Sequence, residues 1–161
     1  MPVPLIPAMA TEFAQPKVAA KWVDGLYIEA MVLADEARSY FDHQARDDRL
    51  ALAPIDRVAM SCESLKVTTR LMHVIAWLLT QRAVRAGELS RAQAGAPERR
   101  LGDAAPFDRV LLPRLPEAAA EIIQASEDLY ARVRRLDQGG IGDDAPPSPA
   151  RSLQSRLERS L

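Results

Sequence analysis

Few side chains in this sequence could do chemistry: two histidines, His43 and His73, one cysteine, Cys62, and scattered carboxylates. One thiol with two histidines falls short of the usual structural zinc set, and a single cysteine cannot close an internal disulfide, which fits a reducing cytoplasm. No Gly-rich phosphate loop, G-x-S-x-G elbow or His-x-x-x-His pair is present. His43 stands among Asp42 and Asp47 near the end of a helical pattern and reads as a surface histidine. His73 falls one position after a core stripe and reads as an interface histidine rather than a general base. Cys62 lies on that stripe and is expected to behave as a small buried hydrophobe. The acid pairs Asp35-Glu36, Asp47-Asp48 and Asp143-Asp144 diverge by about 100° on a helix and form no catalytic dyad. The residues thus predict no enzyme, cofactor or metal, and leave the surface to carry function.

Proline placement shows which elements hold these residues. Twelve prolines leave three long free windows, 17–53, 55–96 and 117–145, and only such windows tolerate long helices, because an interior proline costs about 3 kcal/mol. Each window carries an apolar stripe stepping by three and four. The first is Ala19, Val23, Leu26, Ala30, Leu33, Ala37 and Tyr40; the second Val58, Cys62, Leu65, Thr69, Met72, Ala76, Leu79 and Ala83; the third Leu115, Ala119, Ile122, Ser126, Leu129, Val133 and Leu136. Pro16, Pro54 and Pro116 stand at the expected helix starts, and Gly87 and Gly139 follow the last two stripes. The expected fold is all-α: an elongated three-helix bundle over 16–138, preceded by a flexible N-terminus (1–15) and followed by a disordered tail (139–161).

The second helix should span about 32 residues, roughly 48 Å at 1.5 Å per residue. Its C-terminal half is apolar nearly all round, with Leu71, Ile75 and Leu78 forming a second stripe and Trp77 between them. Two bundle neighbours cover two faces, and a homodimer face can bury the remainder; the run is too short to span a bilayer. Midway, Glu63, Ser64, Lys66, Thr68, Thr69 and Arg70 interrupt the apolar pattern. A shielded Arg70 needs a carboxylate, which Glu29, Asp35 or Glu36 of the first helix could supply as a register-setting pair.

Charge is segregated. Residues 1–50 hold five basic and eight acidic residues, 51–94 six and three, and 116–138 three and five. The positive middle helix either makes weak interhelical pairs or offers a basic strip around Arg70, Arg82 and Arg85 to an acidic partner. The whole chain carries a formal charge of −1, which disfavours nucleic-acid and anionic-membrane binding.

Outside the helices, Ala8-Met9-Ala10 superficially matches a signal-peptidase site, but no basic segment precedes it and prolines break the apolar run, so export is not expected. Residues 88–115 open with a short helix capped by Ser90 and continue as an unusually long connection, a candidate contact surface. Phe107, Val110, Leu111 and Leu112 are apolar enough to pack back on the bundle. In the tail, Leu153, Leu157 and Leu161 recur at intervals of four; a helix that short is marginal in water unless a partner orders it.

The stretch from Glu63 through Thr68, Thr69, Arg70, Leu71 and Met72, continuing over Trp77-Leu78-Leu79 and Gln81-Arg82-Ala83-Val84 to Gly87-Glu88, resembles the signature of the alphaproteobacterial family of regulators of CtrA degradation. Supporting matches are Glu29 to Leu33 with Tyr40, and Leu129 to Val133 with Arg135, Leu136 and Asp137. The chain departs from the family pattern at Ala30, where glycine is more typical, and in the proline-rich 97–116 segment. The resemblance implies a non-enzymatic adaptor for the ATP-dependent ClpXP protease. Such an adaptor would work with the ClpX unfoldase or its priming response regulator, deliver cargo such as CtrA, and gather at the cell pole in the cytoplasm.

Candidate partner-binding or interface residues are Arg70, His73, Trp77, Arg82, Arg85, Leu153, Leu157 and Leu161. The competing reading is a helical DNA-binding regulator using Arg132, Arg134 and Arg135, which the third helix's net acidity opposes.

Overall fold

The computed structural model describes residues 15–139. Among them the fold is all-α, built on three long helices: α1 (Gln15–Ser39), α3 (Pro54–Arg85) and α5 (Glu117–Gly139), with short helices α2 (Ala45–Ala51) and α4 (Arg91–Ala94) between them. The expectations for 1–14 and for the tail beyond Gly139, including Leu153, Leu157 and Leu161, lie outside the described residues.

In α1 the expected stripe faces inward: Val23, Leu26, Ala30, Leu33, Ala37 and Tyr40 are buried. At Tyr40–Gln44 the helix widens into a π-turn. That extra residue lets Tyr40 and Phe41 meet edge to face, with ring centroids 5.1 Å apart. The Tyr40 hydroxyl then donates to Asp48 on α2.

The α2-to-α3 corner follows from Pro54, which holds Ala53 extended and occupies the first turn of α3, where its missing N–H costs nothing. The Arg57 guanidinium reaches back to the orphan carbonyls of Leu50 and Leu52. At its other end α3 closes in a Schellman motif: Gly87 adopts φ +77°, its N–H reaches Val84 and the Glu88 N–H reaches Ala83. Ser90 then caps α4 through a capping box with Gln93.

Cross-helix pairs fix the directions. Asp24 of α1 meets Arg85, and Tyr27 lies under Arg82, so α1 and α3 run antiparallel. Asp56 meets Arg114 just before α5, Arg70 meets Ser126, and Trp77 meets Asp137, so α3 and α5 run parallel. A parallel pair needs a return path, and residues 100–114 supply it. Arg100 binds Asp137, Gly102 accepts from Tyr130, the Asp108 N–H reaches Glu63, and Arg114 reaches Asp56. The long connection is therefore a strap laid back along α3 and α5, with Leu101, Ala104, Phe107 and Leu112 packed on the core. Val110, expected to pack with them, is exposed.

The stripe assigned to the core in α3 is corrected. Val58, Cys62, Leu65, Thr69, Met72, Ala76 and Leu79 face solvent, while Met60, Glu63, Val67, Arg70, Leu71, Val74, Trp77 and Leu78 face the bundle. Two apolar rows compete on this helix, and the inward one is the one interrupted by charges. Those charges are tolerated because Arg70 finds Ser126 and Glu127 on α5 and Glu63 finds Lys66.

Candidate functional site

The outward row of α3 is the least ordinary surface of the molecule. Val58, Leu65, Met72 and Leu79 each keep at least 46% of their surface exposed, and Ile55 continues the row toward the N-terminal end. Cys62, Thr69 and Ala76 fill the intervening positions and are exposed too. The spacing is a strict alternation of three and four over more than three turns. A 3.5-residue repeat drifts by about 20° per heptad against the straight helix, which is the pattern of a seam that supercoils with another helix. The Thr69 hydroxyl bonds to the Leu65 carbonyl one turn earlier, so its polar group is satisfied and its methyl stays on the seam. Cys62 is a free, exposed thiol on this seam, not the buried hydrophobe its stripe position implied.

Behind the seam, on the opposite side of α3, lies a buried polar cluster. Arg70 is fully buried, donates to Ser126 Oγ at 2.6 Å and stands 3.1 Å from Glu127. Burial pulls its guanidinium below the ordinary arginine value, opposed by the carboxylates of Glu127 and Glu63. Glu29, Asp35 and Glu36, the carboxylates expected to partner Arg70, do not: Glu29 pairs with Arg132 of α5, and Asp35 with Arg38 on its own helix. The register-setting pair exists, but it ties α3 to α5 instead of α1.

Trp77 is buried, and its indole N–H donates to Asp137 at 2.8 Å, so it anchors the bundle. Asp137 also receives Arg100 of the strap, whose guanidinium is raised above its ordinary value chiefly by that hydrogen bond. His73 is half-buried beneath the strap; a Cβ at Gly102 would come within 2.7 Å of its ring. Glycine is thus required at 102 by close approach, and His73 shapes the strap's path.

Arg82 and Arg85 were left by the sequence either in weak interhelical pairs or in a strip for an acidic partner. Both reach Asp24 of α1, with Arg85 at 2.7 Å, as the interhelical reading has it. The Arg85 hydrogen bond holds the Asp24 carboxyl below its usual range. Arg132, part of the competing DNA-facing group, is likewise engaged with Glu29. No group of three or more metal-ligating side chains occurs among the described residues, and no described helix is long and apolar enough to cross a membrane.

The seam residues were visible in the sequence, but their orientation was not. Ile55, Trp22, Ile28 and Val32, also exposed, carried no motif that would single them out.

Comparison with known proteins agrees with this architecture. Residues 14–161 match the family described as a protein of unknown function, DUF1465. The crystal structure of RcdA from Caulobacter crescentus CB15 is similar, with a TM-score of 0.60 and 37% sequence identity, covering 73% of this chain and 88% of that one. No curated protein matches the chain.

Proposed function

The chain belongs to the RcdA family, and from that premise we propose that it is a non-enzymatic adaptor of ClpXP proteolysis that delivers cell-cycle regulators such as CtrA. Its partners in this reading are the ClpX unfoldase or its priming response regulator and the cargo, met in the cytoplasm at the cell pole. The observation that carries the proposal is the exposed heptad seam of α3. An adaptor accelerates degradation by holding two partners together, which needs a contact surface and no reactive group. Apolar side chains repeated along one face of a 32-residue helix are such a surface, and leaving them in water is unfavourable by about 25 cal/mol per Å².

Self-association through the same seam is the second part of the proposal. A second copy would pair like rows and cover the apolar face that the bundle leaves open.

The test is a reconstituted degradation assay containing the protease, the priming regulator and a candidate cargo. The full chain is compared with the double variant Leu65→Asp, Met72→Asp, whose substitutions face solvent. Faster cargo loss with the full chain and none with the variant is the expected result. If the full chain changes no cargo's half-life and does not bind the primed unfoldase, the adaptor reading fails.

A further inference from the structure

We propose that residues 152–161 dock as a short helix on the outward face of α1 of the same molecule, along Trp22, Gly25, Ile28 and Val32. Trp22 is 49% exposed, and Ile28 and Val32 are each 62% exposed. Gly25 lies between them, with no atom of the described residues within 4 Å of the position its Cβ would take. A mid-helix glycine costs roughly 1 kcal/mol relative to alanine. Here it leaves a notch in an apolar row, into which a side chain from another helix fits.

Reach comes from the topology. Glu29 of α1 pairs with Arg132 of α5, and the two helices run antiparallel. Seven residues onward along α5 and seven back along α1 place Gly139 level with Trp22. The chain therefore leaves the bundle at the start of this row. Residues 140–151, rich in glycine and proline, provide a tether of about 5 to 6 Å times the square root of its length, roughly 20 Å. The row from Trp22 to Val32 is about 15 Å long.

Chemistry agrees at both ends. Leu153, Leu157 and Leu161 share one helical face and span about 12 Å, matching the row. Arg156 and Arg159, with Glu158 between them, accompany the leucines, and α1 continues past Val32 into Asp35, already paired with Arg38, and Glu36, whose carboxylate favours positive charge. A tether of this length gives an effective concentration in the millimolar range, so an intrinsic Kd of about 1 mM leaves the tail about half docked and one of about 0.1 mM keeps it mostly docked. The tail then covers a face that α1 would otherwise offer to a partner.

Trp22 reports the contact directly, because the other tryptophan, Trp77, is buried. Acrylamide quenching of the full chain is compared with Leu157→Asp, with Arg156→Glu and with Leu5→Asp, and Trp22→Phe assigns the signal. Expected is a quenching constant raised about twofold by Leu157→Asp, less by Arg156→Glu and not by Leu5→Asp, independent of protein concentration, as release of a tethered segment requires. An unchanged constant in Leu157→Asp overturns the proposal. So does protection lost on dilution, which assigns the occupant to a second copy, or protection lost in Leu5→Asp, which assigns it to the N-terminal segment.

Discussion

Arg70 of α3 donates a 2.6 Å hydrogen bond to Ser126 of α5 at the centre of the apolar core. The bond joins two parallel helices at the same level and so fixes their axial register. Arg70→Ala leaves Glu127 without its guanidinium partner, leaves Glu63 with Lys66 alone, and opens a cavity in the core. It should lower the unfolding free energy by about 3–5 kcal/mol, and Ser126→Ala by about 1.5–3 kcal/mol. Urea unfolding followed by circular dichroism measures both; losses below 1 kcal/mol would mean that the network is not built this way.

Gly102 and His73 provide a steric pair. Gly102→Ala drives a methyl group into the imidazole and should cost about 1–3 kcal/mol by overpacking. In a His73→Ala background the same change should cost almost nothing. A double-mutant cycle checks this, and additive effects would show that the strap does not rest on His73.

The Tyr40 hydroxyl is held well above its ordinary pKa of 10.0, first by burial and then by its hydrogen bond to Asp48. A raised native pKa contributes stability that is fully present below the unfolded value and is lost as pH rises beyond it. Stability should therefore fall above about pH 10, and Tyr40→Phe should flatten that fall while costing about 1 kcal/mol at neutral pH. Denaturant midpoints measured from pH 8 to 11 decide the matter.

The α3 seam predicts a geometry as well as a partner. Thr69 stands midway between Ile55 and Ala83, so in a symmetric pair centred on the seam it meets its counterpart whether the helices run parallel or antiparallel. In a Cys62→Ser background, oxidised Thr69→Cys should cross-link in either case and Leu79→Cys only in a parallel pair. Sedimentation should show Leu65→Asp as a folded monomer, because Leu65 is 68% exposed on the described chain, and its melting temperature, unlike that of the unaltered chain, should not depend on protein concentration.

The helices themselves were legible because α1 turns an uninterrupted apolar row inward and α5 one broken only at Ser126, with proline and glycine marking several of their limits. Helix α3 was legible in extent but not in orientation. Its inward row includes Glu63 and Arg70, which hydropathy rejects as core, while its outward row carries no charge and is polar only at Thr69. Only the α5 partners Ser126 and Glu127, more than fifty residues away in sequence, make the charged row the buried one. The strap was hidden for a related reason, since it is held by single contacts from Arg100, Gly102, Asp108 and Arg114 that follow no period. The seam residues were thus all in view, assigned to the wrong side of the helix.

The parallel course of α3 and α5 has a practical outcome. Since α1 opposes both, the described chain enters at Gln15 and leaves at Gly139 on one pole of the bundle, while the Ala53-Pro54 corner and the Arg114–Asp56 pair close the other. Fluorophores attached through the two flanking segments would therefore report proximity even in a fully folded, extended rod. A probe meant to measure the long axis belongs at the corner.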